Sequence, residues 1–231
     1  MCLNQDAVVP IDLIVNSAAT LVAAFACAWA AFQFENRRRK HETIERHLSA
    51  VNRALYTVFN LWNILFQFQK EVVDPVRGKP DVWLNMPATL PSSYGLTSFQ
   101  ADELAFLLQT PHANTYSELL LEEQRFWIAI HQIEMRSSIV LNQVFPRFAV
   151  ARVPVGAALT EPQIEGIIGI DVVHKLKQFT VGIIENVDED VKSLRAIHDA
   201  LRNAITSVYP NKKVIRIGFE EAKIDARKGT H

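Results

Sequence analysis

The amino-acid sequence predicts an all-α protein in which a single N-terminal transmembrane helix precedes a cytoplasmic bundle of long antiparallel helices. Three observations support this fold class. An apolar run of helical length lies near the N-terminus, apolar residues further along recur at alternating steps of four and three, and only 8 of 231 residues are glycine. Scarce glycine and the lack of evenly spaced strand patterns argue against a barrel, a sandwich or a glycine-rich nucleotide site.

The composition fits a chain with a buried core and excludes several functional classes. Hydrophobic residues make up 49% of the sequence, which excludes disorder of the whole chain. With 24 basic and 25 acidic residues, the chain has no global field that attracts nucleic acid, so we expect no nucleic-acid partner. Cys2 and Cys27 are the only cysteines, and this pair forms neither a disulfide framework nor a CxxC metal site.

Residues 11–34 form the predicted transmembrane helix. This run contains no Lys, Arg or Glu, and about 20 helical residues are enough to cross a bilayer core of about 30 Å. Asp12, Asn16 and the abundance of alanine count against a span, whereas Trp29 suits a membrane interface. A cleaved signal peptide is disfavoured because no Lys or Arg precedes the run. The alternative is a buried core helix of a soluble bundle.

Four consecutive basic residues follow the apolar run and form its predicted membrane border. Positive charges that flank a span are retained on the cytoplasmic side. We therefore expect a single-pass protein of the cell membrane, with residues 1–10 outside and residues 35–231 in the cytoplasm. The four cations are also expected to attract anionic lipid headgroups. The membrane border consists of Arg37, Arg38, Arg39 and Lys40.

No set of residues in the sequence predicts a metal site or a catalytic site. Helical spacing places His41 beside Glu45, but a di-iron helical site needs Glu-x-x-His motifs on two facing helices, and the chain contains none. The nearest substitute, His131 with Glu134, has the reverse order and is single. No Gly-x-Ser-x-Gly nucleophile motif occurs. We therefore predict no metal, no cofactor and no enzymatic activity.

A first helical seam begins directly after the membrane border. Its apolar residues step alternately by four and three, as positions a and d of a heptad do, and the pattern continues towards Val72. Beyond Leu55, further aromatic and aliphatic residues widen the apolar face, which predicts packing against other helices of the same chain. The first seam consists of Ile44, Leu48, Val51, Leu55, Val58, Trp62 and Leu65.

The middle of the chain alternates between helix breakers and helical patterns. Proline and glycine predict an irregular loop over 74–97, and its apolar residues favour a packed loop. Helical patterns resume over 98–109 and 114–145. Thr160 and Gln163 have the spacing of a capping box, which predicts the start of another helix there.

A second helical seam lies in the last long helix, which is predicted to run to about Tyr209. His198 occupies a seam position, and a lone histidine on an apolar face is most simply a packed residue with one hydrogen bond. Residues 210–231 form a charged tail, in which Val214–Phe219 is either a short strand or an exposed extended segment. The second seam consists of Val187, Val191, Leu194, His198, Leu201, Ile205 and Val208.

These patterns predict a function in assembly and not in catalysis. We expect a non-catalytic, membrane-anchored helical interaction module whose partners are the lipid bilayer and either another protein or a second copy of the chain. The two seams would then make intramolecular or subunit contacts. The alternative is a regulatory or sensory subunit that couples the membrane helix to the bundle or controls a membrane transporter.

Overall fold

All regular elements in the described part of the chain are helical, which confirms the predicted all-α class. The predicted extracytoplasmic segment 1–10 and the tail beyond residue 219 lie outside the described residues. The computed structural model describes residues 11–89, 98–154 and 156–219, with the backbone alone at residues 11–14, 17 and 18.

Seven α-helices occur in the described residues, and shorter helical turns extend three of them. A π-helical turn over Gln69–Val73 follows α1, another over Val140–Val144 follows α4, and a 3-10 turn over Ala105–Gln109 follows α3. The α-helices are α1 Ile11–Phe68, α2 Val82–Asn85, α3 Ala101–Leu104, α4 Ala113–Ile139, α5 Phe145–Val150, α6 Glu161–Ile168 and α7 Ile170–Val208.

The chain divides into two compact units, residues 1–47 and residues 48–231, and α1 contributes residues to both. The predicted transmembrane helix lies in the N-terminal unit. Within the described residues, no helix combines the length and the apolar character that crossing a membrane requires. The prediction of a single span over residues 11–34 is therefore not supported by the structure.

The C-terminal unit is built around the packing of α4 against α7. Thr180 lies beside Arg136, Asn186 beside Gln132, and Ser193 beside Glu122. The residue numbers on α4 decrease as those of their partners on α7 increase, so the two helices run antiparallel.

The residues of the two seams are mostly buried in the structure. Ile44 is half-buried, and the other residues of the first seam are buried. In the second seam Val191 and Val208 are half-buried, and the remaining residues are buried. Both sets therefore contribute side chains to the apolar interior, where burial of a large aliphatic side chain stabilises the fold by about 1.5–3 kcal/mol.

Residues 74–89, the described part of the loop predicted over 74–97, are packed and contain the one-turn helix α2, and residues 90–97 lie outside the described residues. Trp83 and Met86 are 4% and 2% exposed, and the Arg136 guanidinium holds their backbone in place. It donates to the carbonyl oxygens of Trp83 at 2.9 Å, Met86 at 2.7 Å and Pro87 at 3.3 Å. Its Nε donates to Thr180 at 2.9 Å. One buried cation thus ties the loop to α4 and α7.

The last long helical region is interrupted at Gly169. The predicted capping box is confirmed, and Gln163 accepts a hydrogen bond from the backbone N–H of Thr160 at 2.8 Å. Gly169 has φ of +88° and separates α6 from α7. The long helical stretch predicted to run to about Tyr209 is therefore two helices, and α7 ends at Val208, just before Tyr209 and Pro210.

Candidate interaction surfaces

The N-terminal unit exposes a continuous stripe of large apolar side chains on α1. Their exposed fractions run from 58% to 75%. At about 100° per residue, they fall within about a third of the helix circumference. One side of the helix therefore presents large apolar side chains from Val15 to Phe32. This N-terminal apolar stripe consists of Val15, Leu21, Val22, Phe25, Trp29 and Phe32.

Two of the four border cations are engaged in local ion pairs. Arg39 donates to Glu35 at 2.9 Å, and Arg38 lies 3.3 Å from Glu35 and 3.4 Å from a Glu42 oxygen. The hydrogen bond from Arg39 is the main cause of a lowered pKa for the Glu35 carboxyl. Arg37 and Lys40 have no ion-pair partner among the described residues. These two cations remain available to anions outside the chain.

The His and Glu residues after the border do not assemble into a metal site. His41 lies 3.9 Å from Glu45 on an exposed helix surface, and His131 lies 4.0 Å from Glu134 in a similar surface pair. Throughout the described ranges, no three His, Cys, Asp or Glu side chains are grouped closely enough to hold a metal ion.

The second surface is an aromatic groove between α1 and α7 that holds Phe219. The Phe219 ring is 9% exposed. Its centroid lies 4.9 Å from Trp62 and 5.7 Å from Phe59 on α1, and 4.6 Å from His198 on α7. The Arg195 guanidinium lies 5.9 Å from the ring centroid. We call the four surrounding residues, Phe59, Trp62, Arg195 and His198, the aromatic groove.

The segment that leads to Phe219 has no regular secondary structure. Residues 213–219 form no strand, and the backbone N–H of Ile215 donates to the Asn52 side chain at 3.1 Å. Of the two interpretations from the sequence, the short strand is therefore not observed. The segment is not simply exposed, because its last described residue is buried in the aromatic groove.

Two buried nitrogen atoms on α7 have no hydrogen-bond partner among the described residues. They are Nε2 of His198, which is 1% exposed, and Nε of Arg202. Nδ1 of His198 lies 3.4 Å from the Asp199 carboxylate. Burial lowers the pKa of the imidazole, and Asp199 opposes this only in part. Burial therefore favours the neutral form of the His198 imidazole.

A buried acidic pair lies between α4 and α7. Glu122 and Asp190 are 6% and 5% exposed. Glu122 accepts hydrogen bonds from Ser193 at 2.5 Å and Arg125 at 2.8 Å, whereas Oδ2 of Asp190 has no partner among the described residues. Burial, followed by repulsion from Glu122, raises the pKa of Asp190 to about 6.

The sequence did not identify Arg136 and Phe219 as organising residues. Arginine is usually exposed, and no local pattern marked Arg136 as buried. Phe219 stood in a segment of uncertain order, and its contacts lie on helices distant in sequence. The only local signal was an aromatic residue at the end of an apolar stretch in a charged tail. No protein-family model, curated protein or solved structure matches the chain.

Proposed function

We propose that the protein is a non-catalytic, membrane-anchored helical module that assembles with another protein or with a second copy at the cell membrane. The observation that carries this proposal is the exposed N-terminal apolar stripe, which is followed immediately by the basic membrane border. Exposed apolar side chains of this size in a continuous stripe are unfavourable in water and favourable in a lipid environment.

The dimensions of the apolar run support anchoring in the bilayer. A helix over residues 11–34 is about 36 Å long, which matches a bilayer core of about 30 Å with some tilt. The polar residues Asp12 and Asn16 lie near its N-terminal end, where they reach the headgroup region. Arg37 and Lys40 at the opposite end favour a cytoplasmic location for residues 35–231.

A stripe on α4 supports the interaction part of the proposal. Leu121, Ile128 and Met135 are 44%, 56% and 42% exposed, and they recur every seven residues on one face of the helix. Apolar side chains at this spacing form the contact face of helix pairs. This α4 stripe is the surface we assign to a protein partner or a second copy.

Membrane fractionation of cells that produce the full chain tests the anchor. We expect the wild-type protein to resist extraction by alkaline carbonate. The double variant Phe25→Asp with Trp29→Asp should move to the soluble fraction, because two charges in the apolar stripe are costly in lipid. A wild-type protein released completely by carbonate would contradict membrane anchoring.

The variant Ile128→Asp is the matched control and tests the second part of the proposal. Ile128 is 56% exposed, close to the 60% of Trp29, but lies on α4. We expect this variant to stay in the membrane fraction and to lose cross-linked species that the wild-type protein forms in cells. If the wild type forms no cross-linked species at all, the assembly function is wrong while the anchor stands.

One observation favours the regulatory alternative, in which the bundle responds to a signal. Oδ2 of the buried Asp190 carboxylate has no hydrogen-bond partner among the described residues at the contact between α4 and α7, so protonation of this carboxylate changes the energy of that contact. If the bundle is a sensor, cross-linking through α4 should change between pH 5 and pH 8 in the wild type and not in Asp190→Asn.

A further inference from the structure

Helix α4 carries apolar side chains on two opposite faces. Phe126, Ile130 and Ile133 on its inner face are buried in the C-terminal unit. At about 100° per residue, the α4 stripe lies about half a turn away from them, on the outer face. A helix that packs on one side only needs one apolar face. The second apolar face of α4 therefore indicates a second contact.

The outer face of α4 has the residue spacing of a helix pair. Its exposed positions step alternately by four and three from Ser117 to Ser138, as positions a and d of a heptad do. The two seams on α1 and α7 have the same spacing, and their residues are mostly buried. We call the exposed set the outer α4 seam. It consists of Ser117, Leu121, Gln124, Ile128, His131, Met135 and Ser138.

The outer α4 seam contains no Asp, Glu, Lys or Arg. Charged side chains of α4 lie on other sides of the helix. Arg125 pairs there with Glu122 at 2.8 Å, and Glu123 accepts a hydrogen bond from the backbone N–H of Phe99 at 3.1 Å. The solvent face of a helix normally carries its charged residues. An exposed face without them is typical of a contact surface.

We propose that the outer α4 seam binds the same seam of a second copy, so that two α4 helices form the centre of a two-fold homodimer. The absence of charged residues selects this occupant. A lipid surface or an acidic partner would require cations along the seam, and a basic partner would require carboxylates. An uncharged seam meets its own copy without repulsion, and two-fold symmetry brings the same patch of both subunits together.

The even spacing of the α4 stripe sets the register of the pair. Leu121 and Met135 lie seven positions on either side of Ile128. If the two helices run in the same direction, each of the three residues meets its own counterpart. If they run in opposite directions, Ile128 still meets its counterpart, and Leu121 meets Met135 of the partner subunit. Both arrangements match apolar side chains to apolar side chains around Ile128.

The size of the seam predicts a weak dimer that the membrane strengthens. The seam is about 32 Å long and supplies seven residues from each copy, fewer than the roughly 20–30 of a standard interface. Tethering both copies to one membrane raises their effective concentration. The inference rests on the proposed function in this respect, and it names a second copy as the partner that the interaction module binds.

Cysteine cross-linking in intact cells tests the proposal on the full chain. All variants carry Cys2→Ser and Cys27→Ser, so that the introduced cysteine is the only one. With a short bifunctional maleimide, we expect Ile128→Cys to give a species of twice the chain mass that contains both of two differently tagged copies. Lys175→Cys, at an exposed position on α7, should give at least tenfold less.

Two further variants give the direction of the helices. A parallel pair should cross-link Leu121→Cys with itself and Met135→Cys with itself, whereas an antiparallel pair should cross-link only a mixture of the two. A species of Ile128→Cys that never contains both tags would overturn the proposal.

The cross-linking also separates this inference from the proposed function. Ile128→Cys could give no such species while Ile128→Asp still removes the cross-linked species of the wild type. The α4 stripe would then bind a different protein, so the second-copy inference would fail and the assembly function would stand. If the wild type gives no cross-linked species either, both fail.

A second measurement uses a variant that should strengthen the dimer. Polar residues at seam positions lower the stability of a helix pair. Sedimentation equilibrium of the full chain in detergent should therefore show at least threefold tighter self-association for Gln124→Leu than for the wild type. Lys175→Leu adds the same side chain outside the seam and should change the association constant less than twofold. An unchanged constant for Gln124→Leu, or equal strengthening by both variants, would overturn the proposed seam.

Discussion

Asp188 on α7 accepts two hydrogen bonds from Arg77, each 2.7 Å long, in a bidentate ion pair. Gln69, in the π-helical turn after α1, donates a third hydrogen bond to Asp188 at 2.6 Å. The hydrogen bond from Arg77 is the main cause of a lowered pKa for the Asp188 carboxyl. This carboxylate therefore fixes the end of the first long helix to the last one.

Replacing Asp188 by asparagine should lower the free energy of unfolding by about 1 kcal/mol at pH 7, since both partners are partly exposed. Because its folded-state pKa is lowered, the carboxyl contributes stability above the unfolded-state pKa of about 4. That contribution is lost as the pH falls through the folded-state pKa. Urea denaturation at pH 7 and pH 3 should show the difference between wild type and variant shrinking at acid pH. Glu185→Gln, at an exposed position one turn earlier on α7, should change stability by less than about 0.5 kcal/mol.

Replacing Arg136 by glutamine should destabilise the C-terminal unit by about 3 kcal/mol or more, because three carbonyl oxygens and Thr180 lose their donor in a buried site. Burial lowers the pKa of Arg136 to about 10, so the side chain is still charged at pH 7. Chemical denaturation followed by circular dichroism measures the loss. Arg53→Gln, which removes an exposed ion pair with Glu103, should cost less than about 1 kcal/mol. If the two variants lost the same unfolding free energy, the buried contacts of Arg136 would not organise the loop.

Replacing Asp190 by asparagine should stabilise the protein at pH 7.5 by about 1–3 kcal/mol, because it removes a buried charge that lies close to Glu122 and whose Oδ2 has no hydrogen-bond partner among the described residues. The raised pKa means that the protonated carboxyl contributes stability fully below the unfolded-state pKa of about 4 and loses it as the pH rises through about 6. Thermal unfolding of both proteins across pH 4–8 should show curves that converge at acid pH. If the stability gain of Asp190→Asn stayed the same at every pH, the ionisation of Asp190 would not be its cause. Asp171→Asn, at an exposed site on α7, serves as the control.

Replacing Gly169 by alanine should destabilise the protein by about 1–2 kcal/mol, because φ of +88° disfavours any side chain. Gly166 lies within α6, and an added Cβ there meets no atom within 4 Å. Gly166→Ala should therefore be neutral or stabilise by up to about 0.5 kcal/mol, since alanine favours helix. Thermal unfolding compares the two variants directly. Changes of the same sign and size at both sites would refute the special backbone role of Gly169.

The features that sequence reasoning predicts best are local ones. The capping box needs only Thr160 and Gln163, which lie three positions apart along one turn, so its signal is complete within a few residues. The all-α class follows from apolar periodicity repeated over several long segments. The break at Gly169 was harder to predict, because a glycine in a helical pattern is compatible with close packing, with a kink and with a complete stop.

Features that depend on distant segments could not be predicted from the sequence. Arg136 is buried only because the backbone of Trp83, Met86 and Pro87 presents carbonyl oxygens to it after folding. The aromatic groove requires α1, α7 and the C-terminal segment together, and Phe219 has no local pattern that points to this neighbourhood. The π-helical turns also leave no clear sequence signal, because they shift helix register without any proline or glycine.

The π-helical turn over Val140–Val144 makes this part of the chain one residue longer than an uninterrupted α-helix needs. Deleting Leu141 should convert the turn to α-helix and leave the helix that follows in nearly the same orientation, so Arg147 should keep the carbonyl oxygen of Ile168 as its acceptor. Deleting one residue from the regular part of α4 should instead rotate everything that follows by about 100° around the axis. The π-helical turn is therefore the point at which the α4–α5 region tolerates a one-residue change in chain length without a change in the direction of α5.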